Sequence, residues 1–398
     1  MADAKRQAPR EAWITGIGIV SCLGEGPDAH WKGLSSGHPQ GDATTFAPYV
    51  IHRITAIDFD KQIPKKGDQR QMEPWQRIGT YAAGLALESA GLKGNTELLS
   101  RTDMIVAAGG GERDLAVDSV ILSAYGKVEN LDKFLNERLM SDLRPTLFLA
   151  QLSNLLAGNI SIVHGVTGSS RTFMGEEGAG VDAVRIGLAR IEAGQSDIVL
   201  VGGSYNSERP DLMLLYEFSR FPLKERYAAV WQRGPQGGVA LGSMGAFVVI
   251  ESRASAEKRG ARRLARLTAV LSDRSRRNPG DVETVMARMW NQLDVKSDGI
   301  PLISGATGVE PATCEERTFL ASHPGLAVRA TGSYLGHGLE PQFVMNIALG
   351  AEALSRGTLF PPADDAGVER PMQGSFKRLV VTGIGHWRGE GMALLEAP

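Results

Sequence analysis

Ser170-Arg-Thr-Phe-Met-Gly-Glu-Glu-Gly-Ala-Gly180, residues 181–194, and Ser196-Asp-Ile-Val-Leu-Val-Gly-Gly203 read in succession as a strand, a sharp glycine turn, a buried helix and a buried strand. Val181, Val184, Leu188 and Ile191 recur at helical spacing, and residues 198–201 form a short apolar run ending in glycines. A side chain on such a turn stands at a helix N-terminus, where the dipole and unpaired N–H groups favour negative charge. Nucleophiles are placed on turns of this kind, and so are ordinary strand-to-helix connections of α/β proteins. The residue types on the turn decide between the two.

Composition narrows the classes. The chain has 398 residues, 42% of them hydrophobic, enough for one large core or two fused ones. Lys+Arg of 43 against Asp+Glu of 45 gives a net charge of −2, so no basic excess points to nucleic acid. Cys22 and Cys314 form neither a disulfide framework nor a metal motif, which fits a reducing cytosol. The start of the chain has no apolar leader, and no run approaches ~18 apolar residues. The expectation is a soluble, cytoplasmic protein with no membrane insertion.

Residues 1–11 read as a polar lead-in, followed by a strand over 13–20 and a turn into a helix holding Trp31 and Leu34. Residues 36–70 are irregular, 75–90 read as an amphipathic helix, and 103–107 as a strand ending in Gly109-Gly110-Gly111. That glycine run lacks a full phosphate-binding pattern and reads as a tight turn. Residues 112–144 carry scattered apolar positions with charge between them. Beyond the central stretch come strands over 264–271 and 300–304, helices over 279–293, 313–322 and 341–355, and a closing strand over 378–381. Strands alternating with helices in both halves predict an α/β protein with its sheets covered on both faces. Thr15-Gly-Ile-Gly18 recurs as Thr382-Gly-Ile-Gly385, an echo we treat as chance.

Residues 145–203 closely resemble the β-ketoacyl-acyl-carrier-protein synthases, the thiolase-fold condensing enzymes. Other stretches carry the likeness over nearly the whole chain: the opening strand and turn through Leu23-Gly24, with Cys22 at the family's proline; Phe221 to Arg226; Gly242 to Glu251; and Glu257 to Arg262. The resemblance implies a thiolase-like five-layered αβαβα fold in two similar halves, 12–258 with cap and dimer insertions, and 259–398. It assigns residues 112–144 to the cap beside the acyl pocket and to the dimer contact.

Active members carry Thr-Ala-Cys-Ser/Thr-Ser-Gly at the central turn, and counting back from Gly202-Gly203 puts the nucleophilic cysteine at Glu177. The family's first catalytic histidine falls on Ala306 or Thr307, neither an imidazole. The second falls on His337 in Gly332-Ser-Tyr-Leu-Gly-His337, which lacks the family's lysine. The oxyanion and gate loop falls near Gly383, Ile384 and Gly385. A carboxylate attacks a thioester poorly compared with a thiolate. Glu177 therefore reads as a pocket-occupying charge, with residual decarboxylation or other covalent chemistry as alternatives; which of Glu176 and Glu177 points inward stays open. His30, His38, His52, His164, His323 and His386 show no metal-ligand spacing, and Cys22 reads as a core thiol with no His or cation evident beside it.

The resemblance then implies a chain-length-factor-like subunit of fatty-acid or polyketide-type synthesis, inactive in condensation alone. It would act as a heterodimer with an active ketosynthase, with acyl groups on the phosphopantetheine of acyl carrier protein and no cofactor or metal of its own. The alternatives are a malonyl-carrier-protein decarboxylase or divergent ketosynthase, and a homodimeric acyl-binding protein.

Overall fold

The computed structural model describes residues 9–398, so most of the lead-in expected over 1–11 lies outside the described residues. Ten strands join in one sheet: β1 (Ala12–Ser21), β2 (Asp103–Ala107), β3 (Ser170–Phe173), β4 (Ile198–Tyr205), β5 (Met244–Ser252), β6 (Ala265–Asp273), β7 (Pro301–Ser304), β8 (Ala327–Ala330), β9 (Arg378–Ile384) and β10 (Glu390–Glu396). A further two-residue strand, Gly24–Glu25, pairs with β1. The spatial order is β8-β7-β9-β10-β6-β1-β5-β4-β2-β3.

Divided between β6 and β1, this order is one pattern used twice. From either edge inward come the third, second, fourth, fifth and first strands of that half. Pairings near each edge are parallel, β2 with β3 and β4, and β7 with β8 and β9. Pairings further in are antiparallel, β4 with β5 and β5 with β1, and β9 with β10 and β10 with β6. The two sets meet only where Ala12 to Ile14 pair with Ala265 to Leu267. The echoed Thr-Gly-Ile-Gly segments sit in β1 and at the end of β9, which are unequal places in the repeat.

Each edge strand feeds a helix of the central layer, Glu176–Glu192 after β3 and Gln342–Arg356 after β8. Val181, Val184 and Leu188 of the first share a core with Phe343 and Ile347 of the second, and with Ile17, Ile303 and Val381 from the sheet. The second helix is buried from Gln342 through Leu354, as expected of a helix with no face left for solvent. Outside, Pro74–Ser89 packs Ile78 and Ala82 onto Phe247 and Val249, while Asp281–Leu293 and Ala312–Ala321 pack Met286, Trp290 and Phe319 onto Val380 and Leu394. Helix, sheet, helix, sheet and helix follow in turn, the five layers of the expected α/β fold.

Close approach sets the outer packing of β1. A Cβ at Gly18 would lie 2.0 Å from the carbonyl oxygen of Ala82 and 2.3 Å from the amide nitrogen of Ala86, both helix backbone that cannot swing aside. Gly18→Ala is expected to cost about 3 kcal/mol by overpacking. Urea denaturation checks this, and a midpoint within error of the parent chain would refute it.

The sequence reading missed β10. The closing strand read at 378–381 extends to Ile384 and turns back as a hairpin, so its loop returns to the central layer. Residues 112–144 form the helices Leu115–Ala124 and Leu131–Ser141. Among the described residues, the exposed large hydrophobic side chains all fall between Leu115 and Phe218. No helix among the described residues is long and apolar enough to cross a membrane.

Candidate active site

The turn after β3 is built from backbone that few residues adopt. Gly175 has φ +122° and Glu176 φ +49°, the latter costing a non-glycine residue on the order of 1 kcal/mol. The turn sends the two carboxylates apart. Glu176 reaches outward to Arg388 at 3.3 Å, while Glu177 is 3% exposed and points into the protein.

Two histidines meet Glu177. His337 is pinned by its backbone, its N–H donating to Ala240 O at 2.8 Å and its carbonyl accepting from Gly242 N at 2.9 Å. Its Nε2 donates to Glu177 Oε1 at 2.6 Å. His386 comes from the β9–β10 loop, where Gly385 N donates to Gly389 O at 2.8 Å. Its Nδ1 lies 2.9 Å from the same Oε1, within ion-pair reach, but without the alignment a hydrogen bond needs. Its Nε2 is 3.2 Å from the Tyr216 hydroxyl, and its ring packs against Trp387 and Phe221. Arg277 fastens the loop by donating to the carbonyls of Gly385 and Gly389 and to Glu390.

Burial raises the Glu177 carboxyl, but the pull of His386 and the hydrogen bond from His337 outweigh it and hold the group well below the usual carboxylate range. Burial lowers His337 against the opposing pull of Glu177. The cluster is thus a carboxylate facing two imidazoles, with Glu177 Oε2 left without a partner.

The expected first-histidine position, Ala306 or Thr307, holds no imidazole. Ala306 and Thr307 are buried, and their bonds go elsewhere: Ala306 N donates to Ser304 Oγ, Val309 N to Thr307 Oγ1, and Arg233 to Thr307 O. The second imidazole beside Glu177 comes from His386, on a different loop. His386, Tyr216 and Arg277 were missed because a hairpin absent from the reading brings them in. The available signal was the Gly-Ile-Gly-His-Trp-Arg-Gly segment itself, a histidine inside a glycine-rich loop. Of the expected gate residues, Gly383 packs against Phe343, and Ile384 is buried in the outer core. Gly385 lies beside Glu177, where a Cβ would fall 2.9 Å from Oε2, and its N–H is already given to Gly389.

The loop carrying Ala306 is held by Glu316, which accepts from Ser304 Oγ and Thr382 Oγ1. Burial pushes its carboxyl up to about 7 from the usual 4.5, against the lowering effect of those two hydroxyls. The unfolded chain therefore ionises Glu316 first as pH rises, and the folded state loses stability between the two values. Glu316→Gln, which keeps an acceptor oxygen, is expected to stabilise the chain at pH 8 by up to about 3 kcal/mol and to have no such effect at pH 4.5. Urea midpoints at the two pH values check this; equal effects at both would sink it.

Cys22 also differs from expectation, since His52 Nδ1 lies 3.9 Å from its Sγ. Burial lowers His52 to about 3, so it is uncharged at neutral pH, and burial raises the Cys22 thiol to about 11. The conclusion of an inert core thiol stands for a different reason. Near Glu177 a cavity of about 100 Å³ is lined by Trp75, Gly109, Tyr205, Asn206, Arg209 and Glu340 among others. The Tyr205 hydroxyl and Glu340 Oε2 are buried without partners. This space is far smaller than the ~300–1,000 Å³ of a typical small-molecule pocket.

The chain is 24% identical to a 3-oxoacyl-[acyl-carrier-protein] synthase 2 of Vibrio cholerae over 64% of its own length and 60% of the relative's. A synthase of the same description from Vibrio harveyi is also 24% identical, over 65% of this chain and 61% of the relative. These matches span about 60% of the curated relatives. Among solved structures, the ishigamide ketosynthase/chain length factor superposes with a TM-score of 0.81 at 19% identity, covering 98% of this chain and 100% of that one. A type II polyketide ketosynthase in complex with its acyl-carrier protein gives 0.76 at 17%, with the same coverage. The resemblance read from the central turn, the twofold repeat of strand order, and a match of residues 10–256 to the family described as beta-ketoacyl synthase, N-terminal domain, agree: the chain belongs to the β-ketoacyl synthase family.

Proposed function

We propose that this chain is a non-condensing subunit of acyl-chain synthesis, acting as a chain-length factor beside a complete ketosynthase. The observation that carries this reading is Glu177, a buried carboxylate bonded to His337 at the turn where the resemblance would put the family's thiolate. The two cysteines do not replace it, since Cys22 is half-buried with its thiol pushed up to about 11, and Cys314 lies exposed on an outer helix. Without a thiolate the acyl-enzyme does not form.

Two further features support pairing. The space near Glu177 is small, and Glu340, Tyr205 and Asn206 on its wall bring a carboxyl, a phenol and an amide, suited to stopping a chain rather than housing it. The edge strand β3, with exposed Met174 just after it, and the exposed apolar side chains between Leu115 and Phe218 are surface of the kind that oligomers cover. The acyl group would arrive on the phosphopantetheine of acyl carrier protein, and the partner synthase would supply the cysteine.

One observation favours a second reading. His386 gives the site the second imidazole that malonyl decarboxylation calls for, although both rings are engaged with Glu177. The experiment incubates the purified chain with malonyl- and acyl-carrier protein, alone and with a complete synthase from the same genome, and follows product mass. No turnover alone, with altered product length in the mixture, is the expected result. Carbon dioxide released by the chain alone would replace this reading with the decarboxylase. Inertness in both arms would leave an acyl-binding protein.

A further inference from the structure

Glu177, His337 and His386 converge from three parts of the chain: the start of a central helix, the loop before its counterpart, and the β9–β10 hairpin. One ligand atom from each, a carboxylate oxygen and two ring nitrogens, lies within 4.8 Å of the others, and all three residues are buried. Two of the polar atoms in this cluster, Glu177 Oε2 and His386 Nδ1, are buried without a hydrogen-bond partner. Unsatisfied buried polar atoms are rare and costly, and two in one cluster call for a ligand.

The charges around the cluster point to a cation. Arg277 is engaged by Glu390, and Arg388 by Glu176, so neither arginine is free to neutralise Glu177. His386 Nε2 faces the Tyr216 hydroxyl at 3.2 Å, so Nδ1 is the ring nitrogen turned toward the carboxylate. A cation seated between Nδ1 and the carboxylate oxygen, which lie 2.9 Å apart, would engage both. The ring is held for this by Tyr216 and by its packing on Trp387, the outer support that metal-bound histidines require.

We propose that Glu177, His337 and His386 form a binding site for one divalent transition-metal ion, Zn²⁺ in the first instance. Two imidazoles and a carboxylate are a donor set that Zn²⁺ takes at about 2.0–2.2 Å, leaving positions open for water or another ligand. Neighbouring donors around a tetrahedral ion with such bonds lie roughly 3.3–3.6 Å apart. The 2.9 Å approach of His386 and the 2.6 Å approach of His337 are both shorter than this, so binding requires Glu177 to draw back or to offer Oε2 instead. Gly385 leaves room for that, since any side chain there would crowd Oε2 at 2.9 Å. The site goes beyond the proposed chain-length role and stands whether or not the chain pairs with a synthase.

The test refolds or expresses the full chain with ZnCl₂, removes loose metal by gel filtration with a weak chelator, and measures zinc per chain by mass spectrometry. Expected are one zinc per chain and a melting temperature raised by about 3–5 °C at saturating metal. Both are lost in Glu177→Gln and His386→Ala and kept in His323→Ala, which alters a histidine remote in sequence from all three ligands. Cobalt substitution of the unmutated chain is expected to give the visible absorption of a nitrogen- and oxygen-ligated ion, a readout that does not depend on any variant folding. Less than about a tenth of a zinc per chain, or zinc and cobalt retained in both site variants, would overturn the site. Neither outcome bears on product length in the synthase mixture, so this inference and the proposed function fail separately.

Discussion

A chain carrying Leu122→Asp, Phe148→Asp and Phe218→Asp is expected to run as a monomer that no longer associates with a complete ketosynthase, its affinity lowered about a thousandfold or more. The three side chains are 73%, 66% and 80% exposed, on the helices Leu115–Ala124, Thr146–Ala150 and Pro210–Ser219. The strands leading to the first and last of these, β2 and β4, are parallel neighbours, so both helices leave the same end of the sheet. Arg209, next to the last helix, donates to Gly111 O just ahead of the first. Edge strand β3 runs beside β2, and Met174 follows it, itself exposed.

Burying one large apolar side chain contributes roughly 1.5–3 kcal/mol, and a carboxylate in its place must be desolvated. Three such changes at the core of an interface exceed the ~4 kcal/mol that a thousandfold loss represents. Because all three sites face solvent in the single chain, the melting temperature is expected to stay within a degree or two. Sedimentation with and without the synthase makes the measurement. Undiminished association would move the pairing surface elsewhere, and a collapsed melting temperature would show that these side chains support the fold itself.

What could be read in advance follows from how far each feature reaches along the chain. β2 was legible to the residue, and the helix Pro74–Ser89 nearly so, because their patterns lie within their own sequence. The central turn was legible as a place, and counting from Gly202-Gly203 found the residue that stands in it. Which carboxylate points inward was not legible, since the left-handed backbone at Gly175 and Glu176 decides it. His386 was hidden for a different reason. Its meeting with Glu177 depends on the hairpin of β9 and β10, on the Arg277 clasp and on Tyr216, three distant segments that no local spacing links. The polar groups on the wall of the small cavity are likewise gathered from separate elements, with Tyr205, Asn206 and Glu340 unremarkable one at a time.

Arg277→Ala is expected to destabilise the chain by about 3–5 kcal/mol and to release the loop that carries His386. Arg277 has φ +61° and a side chain only 11% exposed, and it donates to Ser275, to Glu390 and to the carbonyls of Gly385 and Gly389. The Glu390 side chain is wholly buried. Its remaining donors are the amide of Ser275 at 2.9 Å and the hydroxyl at 2.6 Å, which leave the negative charge uncompensated once the guanidinium is gone. Arg277→Lys is expected to recover only part of the loss, because a point charge cannot reach the carboxylate and two carbonyls together. Arg277→Ala with Glu390→Gln is expected to recover most of it, since the buried charge then disappears with its partner. Urea denaturation of the three variants separates the ionic contribution from the loop contacts. Faster hydrogen exchange at Gly385 N–H, which is given to Gly389 O, reports the loop. A loss below about 1 kcal/mol in Arg277→Ala would mean that water screens the pair, as at an exposed ion pair. In that case the loop holds His386 against Glu177 by its own packing on Trp387 and Phe221.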